Sequence, residues 1–119
     1  MSAETEIYAA LSGFSGLTSL VSTRIYPDVL PESTAYPAVV FSRERTVPVF
    51  GLGNHYFGAD VGMQIASWGR TRSEADAAAD AVAGALAASG NLYQGRTSGY
   101  DPETDLYAAV IELEIFETT

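Results

Sequence analysis

Residues 57–67 decide the fold, and they read Phe57-Gly58-Ala59-Asp60-Val61-Gly62-Met63-Gln64-Ile65-Ala66-Ser67. The odd-numbered positions are apolar or small, whereas the even-numbered positions include two glycines, an aspartate and a glutamine. Successive side chains of a β-strand point to opposite faces, so this period of two predicts a strand whose odd face, from Phe57 to Ser67, is buried. A sheet with one apolar face needs a second layer to cover it.

An alanine-rich helix is predicted to supply that layer. Ser73 stands three residues before Asp76, a helix-start pattern close to a capping box. Gly90 is suited to the left-handed conformation that commonly ends a helix. The packing face between them consists of apolar or small residues at helical spacing, namely Ala75, Ala78, Ala79, Val82, Ala85, Leu86 and Ser89.

A shorter helix is predicted at the N-terminus, capped by Ser2 and ended by Gly13 and Gly16. Its apolar residues fall at i, i+3, i+4 and i+7 and are Ile7, Ala10, Leu11 and Phe14. The stretch 17–30 then reads as irregular because prolines interrupt it. Within that stretch, residues 24–27 are expected to form an extended crossing segment.

Three more strands are predicted at residues 36–43, 92–97 and 106–116, with a turn at 98–102 between the last two. Together these elements predict an α+β fold, in which a mainly antiparallel four-stranded sheet packs against two helices. A chain of this length fits one domain, residues 1–119, with a radius of gyration of roughly 13–14 Å if compact.

The segment 44–56, called the arm below, differs from both neighbouring strands and is predicted to be a long loop or hairpin. Proline and glycine interrupt a set of apolar side chains that are unfavourable in water, namely Val47, Val49, Phe50, Leu52 and Tyr56. Exposed apolar clusters usually mark partner surfaces, so these five residues are predicted to bind a partner. The alternative is that the arm folds back as a lid over its own core.

Charge excludes one class of function. Fifteen acidic residues face six basic ones, all arginine, for a formal net charge of -9. Nucleic-acid-binding surfaces gain affinity by placing Lys and Arg on phosphates, so this balance argues against a DNA-binding surface. The sequence also has no apolar run of the roughly 20 residues that span a bilayer, and its first residues lack the features of a signal peptide. We therefore expect a cytoplasmic product without a membrane partner.

Catalysis and metal binding are not predicted. The chain has no cysteine, and its one histidine, His55, lies in the arm away from any cluster of polar residues. Asp101, Glu103 and Asp105 alternate as in cation-binding loops but lack the glycine and closing glutamate that such loops need. Trp68, at the end of the central strand, is expected to pack against the alanine-rich helix, with an interface role as the alternative.

The order of several short motifs resembles the tail-completion or tail-terminator family of siphophages and gene transfer agents. These motifs are Thr23-Arg24-Ile25-Tyr26-Pro27, Leu30-Pro31, Tyr36-Pro37-Ala38-Val39-Val40-Phe41, Met63-Gln64-Ile65-Ala66-Ser67-Trp68 and Arg72-Ser73-Glu74-Ala75-Asp76-Ala77. The resemblance gives structural roles to the residues that match the pattern, which are Arg24, Ile25, Tyr26, Pro27, Tyr36, Pro37 and Trp68.

That resemblance implies a structural protein of the virion tail, made in the cytoplasm of a host bacterium. The resemblance implies that copies of the chain form a hexameric ring, which caps the tail tube, terminates tail polymerisation and joins the tail to the head connector. The implied partners are other copies of the chain, the tail tube protein and the head–tail connector protein, and DNA passes through the lumen without specific binding. No enzyme activity, cofactor or metal is implied. Two alternatives stay open: a head-completion protein, and a small α+β ligand-binding or enzyme dimer.

Overall fold

The computed structural model describes residues 2–91 and 93–118, so Leu92, the first residue of a predicted strand, lies outside the described residues, as do both terminal residues. The helices and strands follow in chain order: α1 Ala3–Ser12, α2 Ser15–Val21, β1 Ile25–Pro27, β2 Ala38–Phe50, β3 Tyr56–Gly69, α3 Arg72–Ala88, β4 Tyr93–Asp101 and β5 Leu106–Thr118. A single 3-10 turn, Leu52–Asn54, connects β2 to β3.

The sheet has five strands in the order β1-β2-β3-β5-β4. β1 runs parallel to β2, with Ile25 opposite Val39, and every other neighbouring pair is antiparallel. The α+β class is confirmed, but the predicted four-stranded sheet is wrong by one strand. The sequence predicts an extended crossing segment at residues 24–27 because prolines interrupt this stretch, and β1 is only three residues long. Its pairing with β2, and not a local pattern, makes it a strand.

The described residues form three α-helices, whereas two were predicted. α2 starts two residues after Gly13, inside the stretch expected to be irregular. A seven-residue helix is marginal by itself, and burial of one apolar stripe stabilises it. Leu17 and Val21, one helical turn apart, are both fully buried. Gly16 therefore lies in the first turn of α2 and does not end a helix.

All three helices contribute to one core on one face of the sheet. Ile7 of α1, Leu17 of α2 and Leu86 of α3 are fully buried there together with Met63 and Ile65 of β3. The opposite face of the sheet carries no helix in the described part of the chain. This two-layer arrangement confirms that the odd positions of β3 face the core.

The buried stretch of β3 is shorter than predicted. Ala59 is buried, but Phe57 is 53% exposed although it occupies an odd position. β5 pairs with β3 only as far as Gly58 opposite Thr118, and beyond that point β3 continues without this neighbour. The alternating pattern of β3 therefore extends beyond the part of the strand that the rest of the molecule covers.

Helix α3 begins earlier than its predicted cap. The hydroxyl of Thr71 accepts a hydrogen bond from the N–H of Glu74 at 3.1 Å, so Thr71 is the N-cap and Ser73 already lies inside the helix. At the other end, Gly90 takes a φ of +83°, the left-handed conformation expected of it. The N–H of Asn91 reaches the carbonyl of Leu86 at 2.8 Å, which completes a Schellman-type end.

The molecule is longer than a compact chain of its size. Its radius of gyration is 15.1 Å and its extents are 52 × 30 × 23 Å, against the roughly 13–14 Å radius expected for a compact shape. The β2–β3 hairpin accounts for this length because both strands continue past the covered part of the sheet. Of the two forms predicted for the arm, the structure has the hairpin. Among the described residues, no helix is long and apolar enough to cross a membrane.

Candidate functional site: the arm and the Trp68 surface

The arm is the distal part of the β2–β3 hairpin. Its last cross-strand pair is Phe50 opposite Tyr56, and the N–H of Gly51 donates to the carbonyl of His55 at 2.7 Å across the turn. Residues 50–57, called the tip below, lie beyond the last residue pair between β3 and β5. Their backbone is thus supported only by the hairpin itself.

Three apolar side chains of the tip are exposed. Phe50 is 57% exposed, Leu52 is 100% exposed and Phe57 is 53% exposed. The arm therefore does not act as a lid over the core of its own chain in this structure. Exposure of apolar surface to water is unfavourable by about 25 cal/mol per Å² in free energy. Burial of the same surface on a partner would therefore be favourable.

Aromatic contacts give the tip a defined shape. The rings of Phe50 and Tyr56 meet edge to face with centroids 5.8 Å apart, and His55 meets Phe57 in the same way at 5.3 Å. Gly51 lies directly beneath the Phe57 ring, where a β-carbon would overlap the ring atoms. Side chains that become ordered on binding lose conformational entropy, which weakens the affinity. Because the side chains of the tip already pack against one another, they lose less conformational entropy on docking.

The five predicted partner-binding residues all lie on the arm. Val47 and Tyr56 are 47% and 43% exposed, and Val49 is half-buried. Sequence reasoning missed Phe57, which it assigned to the buried face, and Phe116, which is 47% exposed and lies opposite Asp60 near the base of the arm. The sequence does indicate that Phe116 is exposed, because Phe116 occupies an even position of β5, like the outward-facing glutamates of that strand.

Ion pairs hold the base of the arm to the rest of the molecule. Arg43 donates at 2.6 Å to both Glu4 of α1 and Glu117 of β5, and Arg45 pairs with Glu114. The hydrogen bond from Arg43 lowers the pKa of Glu4 below its usual value. The pKa of Glu117 is also lowered, first by the N–H of Ala3 and then by Arg43. These ion pairs therefore fix the base of the arm to α1 and β5.

A second apolar feature, a concave region of partly buried side chains, lies on the helix-free face, and Trp68 is at its centre. Trp68 occupies an even position of β3 and lies outside the core cluster, so its predicted packing against α3 is wrong. Three shallow depressions meet at this half-buried side chain, and the largest encloses about 400 Å³. We define the Trp68 surface by the apolar residues around these depressions, which are Leu30, Pro31, Tyr36, Val40, Trp68 and Leu106.

Comparison with known proteins identifies the family. Residues 5–118 match the family model described as "Tail completion protein gp17". The chain belongs to this family. It also resembles a chain of the structure titled "Virion of native gene transfer agent (GTA) particle", with a TM-score of 0.78 and 18% identity over 99% of this chain and 96% of that chain. No curated protein sequence gives a match.

Membership in the tail completion family confirms the resemblance read from the short motifs, and it makes this chain a structural tail protein. The likeness to the gene transfer agent chain, at low identity, shows that the two share a fold. Both the described helices and the mixed sheet are covered by that likeness.

In this tail completion protein, the residues that match the family pattern make internal contacts. Arg24 donates to the carbonyls of Pro37 at 3.0 Å and Leu20 at 3.2 Å, which ties the start of β1 to the start of β2. Ile25 is buried in the core. The hydroxyls of Tyr26 and Thr34 are 3.0 Å apart and share a hydrogen bond.

Two further residues of the family pattern join the same end of the sheet. The Tyr36–Pro37 peptide bond is cis. The guanidinium of Arg70 lies over the Tyr36 ring at 5.2 Å from its centroid, and Tyr36 contributes to the Trp68 surface. These contacts support the structural role that the family resemblance assigns to them.

The arginines of the family member do not form one basic face. Arg43, Arg45 and Arg96 all pair with carboxylates, Arg96 with both Asp76 and Asp80 of α3. These pairs neutralise half of the six basic side chains. Within residues 2–91 and 93–118, no three His, Cys, Asp or Glu side chains come together as a metal site.

Proposed function

We propose that this tail completion protein assembles into a hexameric ring that caps the tail tube, terminates tail polymerisation and joins the tail to the head connector. The family membership supports the place in the tail. The observation that carries the ring is the arm, an anchored hairpin whose uncharged, exposed apolar tip is suited to burial on a partner.

The edges of the sheet also favour contact between copies. In the described residues β4, Tyr93–Asp101, forms one edge and pairs only with β5. On the other side, β1 covers only residues 39–41 of β2, so the rest of β2 is an edge as well. Exposed strand edges are ready to pair with another chain. Two different edges on opposite sides suit a head-to-tail contact, and such contacts generate rings when the rotation closes.

The dimensions and the charge are compatible with DNA passage. Six touching bodies enclose an opening about as wide as one body, and the shorter extents of this molecule are 30 and 23 Å. A net charge of -9 would repel the phosphates of a duplex in that opening. DNA would then slide through the lumen without specific binding.

The arm is the proposed docking element for a neighbouring subunit or the tail tube. Val47, Val49, Phe50, Leu52 and Tyr56 carry this role, and Phe57 joins them. Ordered apolar side chains at the centre of an interface contribute most of the binding energy.

Tail tubes assembled without this protein would test the ring. We expect the purified protein to stop tube growth and to appear at one tube end as a ring of six copies, seen by electron microscopy and by mass photometry. Self-association without tubes can be weak, since the tube end acts as a template. A stable two-fold dimer with no ring on tubes would favour the ligand-binding or enzyme alternative. A ring found on the head connector but absent from tubes would favour a head-completion protein.

A further inference from the structure

We propose that the tip of one copy docks on the Trp68 surface of the next copy, so that each subunit gives one tip and receives one. This inference rests on the proposed ring and names the two surfaces that would close it. Both surfaces are apolar, yet they differ in shape, since the tip protrudes and the Trp68 surface is a concave region of partly buried side chains.

The tip cannot reach the Trp68 surface of its own chain. Trp68 pairs with Ala38 at one end of the β2–β3 hairpin, and the tip starts at Phe50 at the other end. Twelve residues of strand separate Ala38 from Phe50, or about 40 Å at the rise of an extended strand. A second copy must therefore supply any tip that fills this surface.

The concave surface has room for the side chains of the tip. Its largest depression encloses about 400 Å³ and is floored by Trp68 and Leu106. Leu106 is 5% exposed and Trp68 is half-buried, and both lie on strands of the sheet. A leucine and a phenylalanine side chain together bury several hundred Å² of apolar surface, which is the scale of a binding anchor.

Charge favours the tip over other parts of the same chain as the occupant. Asp101 and Glu32 border the largest depression, and Asp28 borders a neighbouring one. Most of this acidic molecule would be repelled by that rim. The tip contains no carboxylate, and its one titratable side chain other than tyrosine is His55. It can approach the acidic rim without like-charge repulsion.

Each copy carries one tip and one Trp68 surface, so the contact can be made head to tail. A pair of copies joined by one such contact leaves one tip and one Trp68 surface free. Such a heterologous contact propagates until a ring closes. A two-fold dimer would instead use both contacts at once, with each tip on the partner's Trp68 surface, and would leave no tip free to extend the assembly.

Complementation between two variants would test this pairing. One variant carries Phe50→Ser and Leu52→Ser and keeps its Trp68 surface. The other carries Thr104→Trp, which fills the largest depression from an exposed position, with Trp68→Ala as a second version. Each variant by itself should stay monomeric at concentrations where the unchanged protein associates. Their mixture should form a one-to-one heterodimer, because one intact tip and one intact Trp68 surface remain.

Engineered cysteines would give a direct readout, since the natural chain has none. A copy with Leu52→Cys mixed with a copy with Thr104→Cys should form a mixed disulfide several-fold faster than a copy with Leu52→Cys mixed with one carrying Ala87→Cys, an exposed control on α3. Failure of both the heterodimer and the preferred disulfide overturns the pairing. If rings still form on tail tubes in that case, the proposed function stands and only this inference is lost. If no ring forms on tubes, the proposed function is lost independently.

Discussion

Ser67 is the one buried polar side chain of the core in the described residues, and its hydroxyl has no hydrogen-bond partner. It lies on β3 between Val39 and Ala109 of the neighbouring strands. A buried hydroxyl without a partner costs about 1–3 kcal/mol of desolvation. Ser67→Ala removes that cost, and we expect the free energy of unfolding to rise by about 1 kcal/mol.

Urea denaturation of the Ser67→Ala variant would measure this change. Ser12→Ala, at an exposed position, serves as the control and should shift the free energy of unfolding by no more than about 0.5 kcal/mol. A loss of stability on Ser67→Ala would show that the hydroxyl has a partner, such as a bound water, and would contradict the expectation.

Arg43 makes stability depend on pH at the base of the arm. Its hydrogen bond lowers the pKa of Glu4 from the usual value of 4.5, and the pKa of Glu117 is lowered by the N–H of Ala3 and then by Arg43. A carboxylate whose pKa is lower in the folded state stabilises the fold fully above its unfolded pKa, and that contribution is lost as the pH falls through the folded pKa. Arg43→Gln removes the cation and leaves two carboxylates close together.

We therefore expect Arg43→Gln to lower the melting temperature near pH 7, and we expect this effect to shrink as the pH falls through the lowered folded-state pKa values of the two carboxyls. Thermal melts across this range would measure the difference. Arg70→Gln is the matched control, because Arg70 stacks on Tyr36 and its removal should leave the pH dependence of the natural protein unchanged. Parallel curves for Arg43→Gln and the natural protein would be the contrary result.

At the scale of elements, the start of α3 separates two capping models. Sequence reasoning placed the cap at Ser73, whereas the Thr71 hydroxyl accepts the hydrogen bond of the Glu74 N–H in the structure. Loss of a capping hydroxyl costs about 1 kcal/mol. We expect Thr71→Ala to lower the free energy of unfolding by that amount and Ser73→Ala to change it little. Chemical denaturation of the two variants decides the matter, and the reverse order would move the start of the helix to Ser73.

The arm is the element whose loss should separate assembly from folding. Phe50→Ser with Leu52→Ser removes two exposed side chains, so the melting temperature of the monomer should stay nearly unchanged. Burial of two such side chains on a partner would contribute roughly 3–6 kcal/mol before ordering costs, so tail capping should be abolished. Calorimetry and the tube-capping assay measure the two effects. An unfolded double variant would mean that the tip stabilises its own chain.

At the scale of the whole molecule, charge predicts the behaviour toward DNA. The ion pairs of Arg43, Arg45 and Arg96 leave no basic face built from all six arginines. We expect the isolated protein to bind duplex DNA more weakly than the roughly 10⁻⁴ M that marks the weak end of non-specific binding. Fluorescence anisotropy at physiological salt would measure this. Micromolar binding that weakens with salt would contradict it.

Local patterns were sufficient for much of the fold. The period of two in β3, the helical spacing in α1 and α3 and the left-handed Gly90 were all predicted, because each depends on residues that are near one another in the chain. The family resemblance likewise came from short motifs in order. The predicted arm residues lie on a hairpin that extends beyond the covered part of the sheet.

What only the tertiary structure decided is where the covering layers begin and end. Phe57 and Ile65 occupy the same face of one strand, but the helices and β5 cover only Ile65. Trp68 is the opposite case, because its even position on β3 already assigns it to the helix-free face by the alternation of the sequence alone. β1 is a strand only because residues 39–41 of β2 lie beside it. Burial and strand pairing join residues that are distant in sequence, so a pattern along the chain predicts which side chains share a face but not which part of that face is covered.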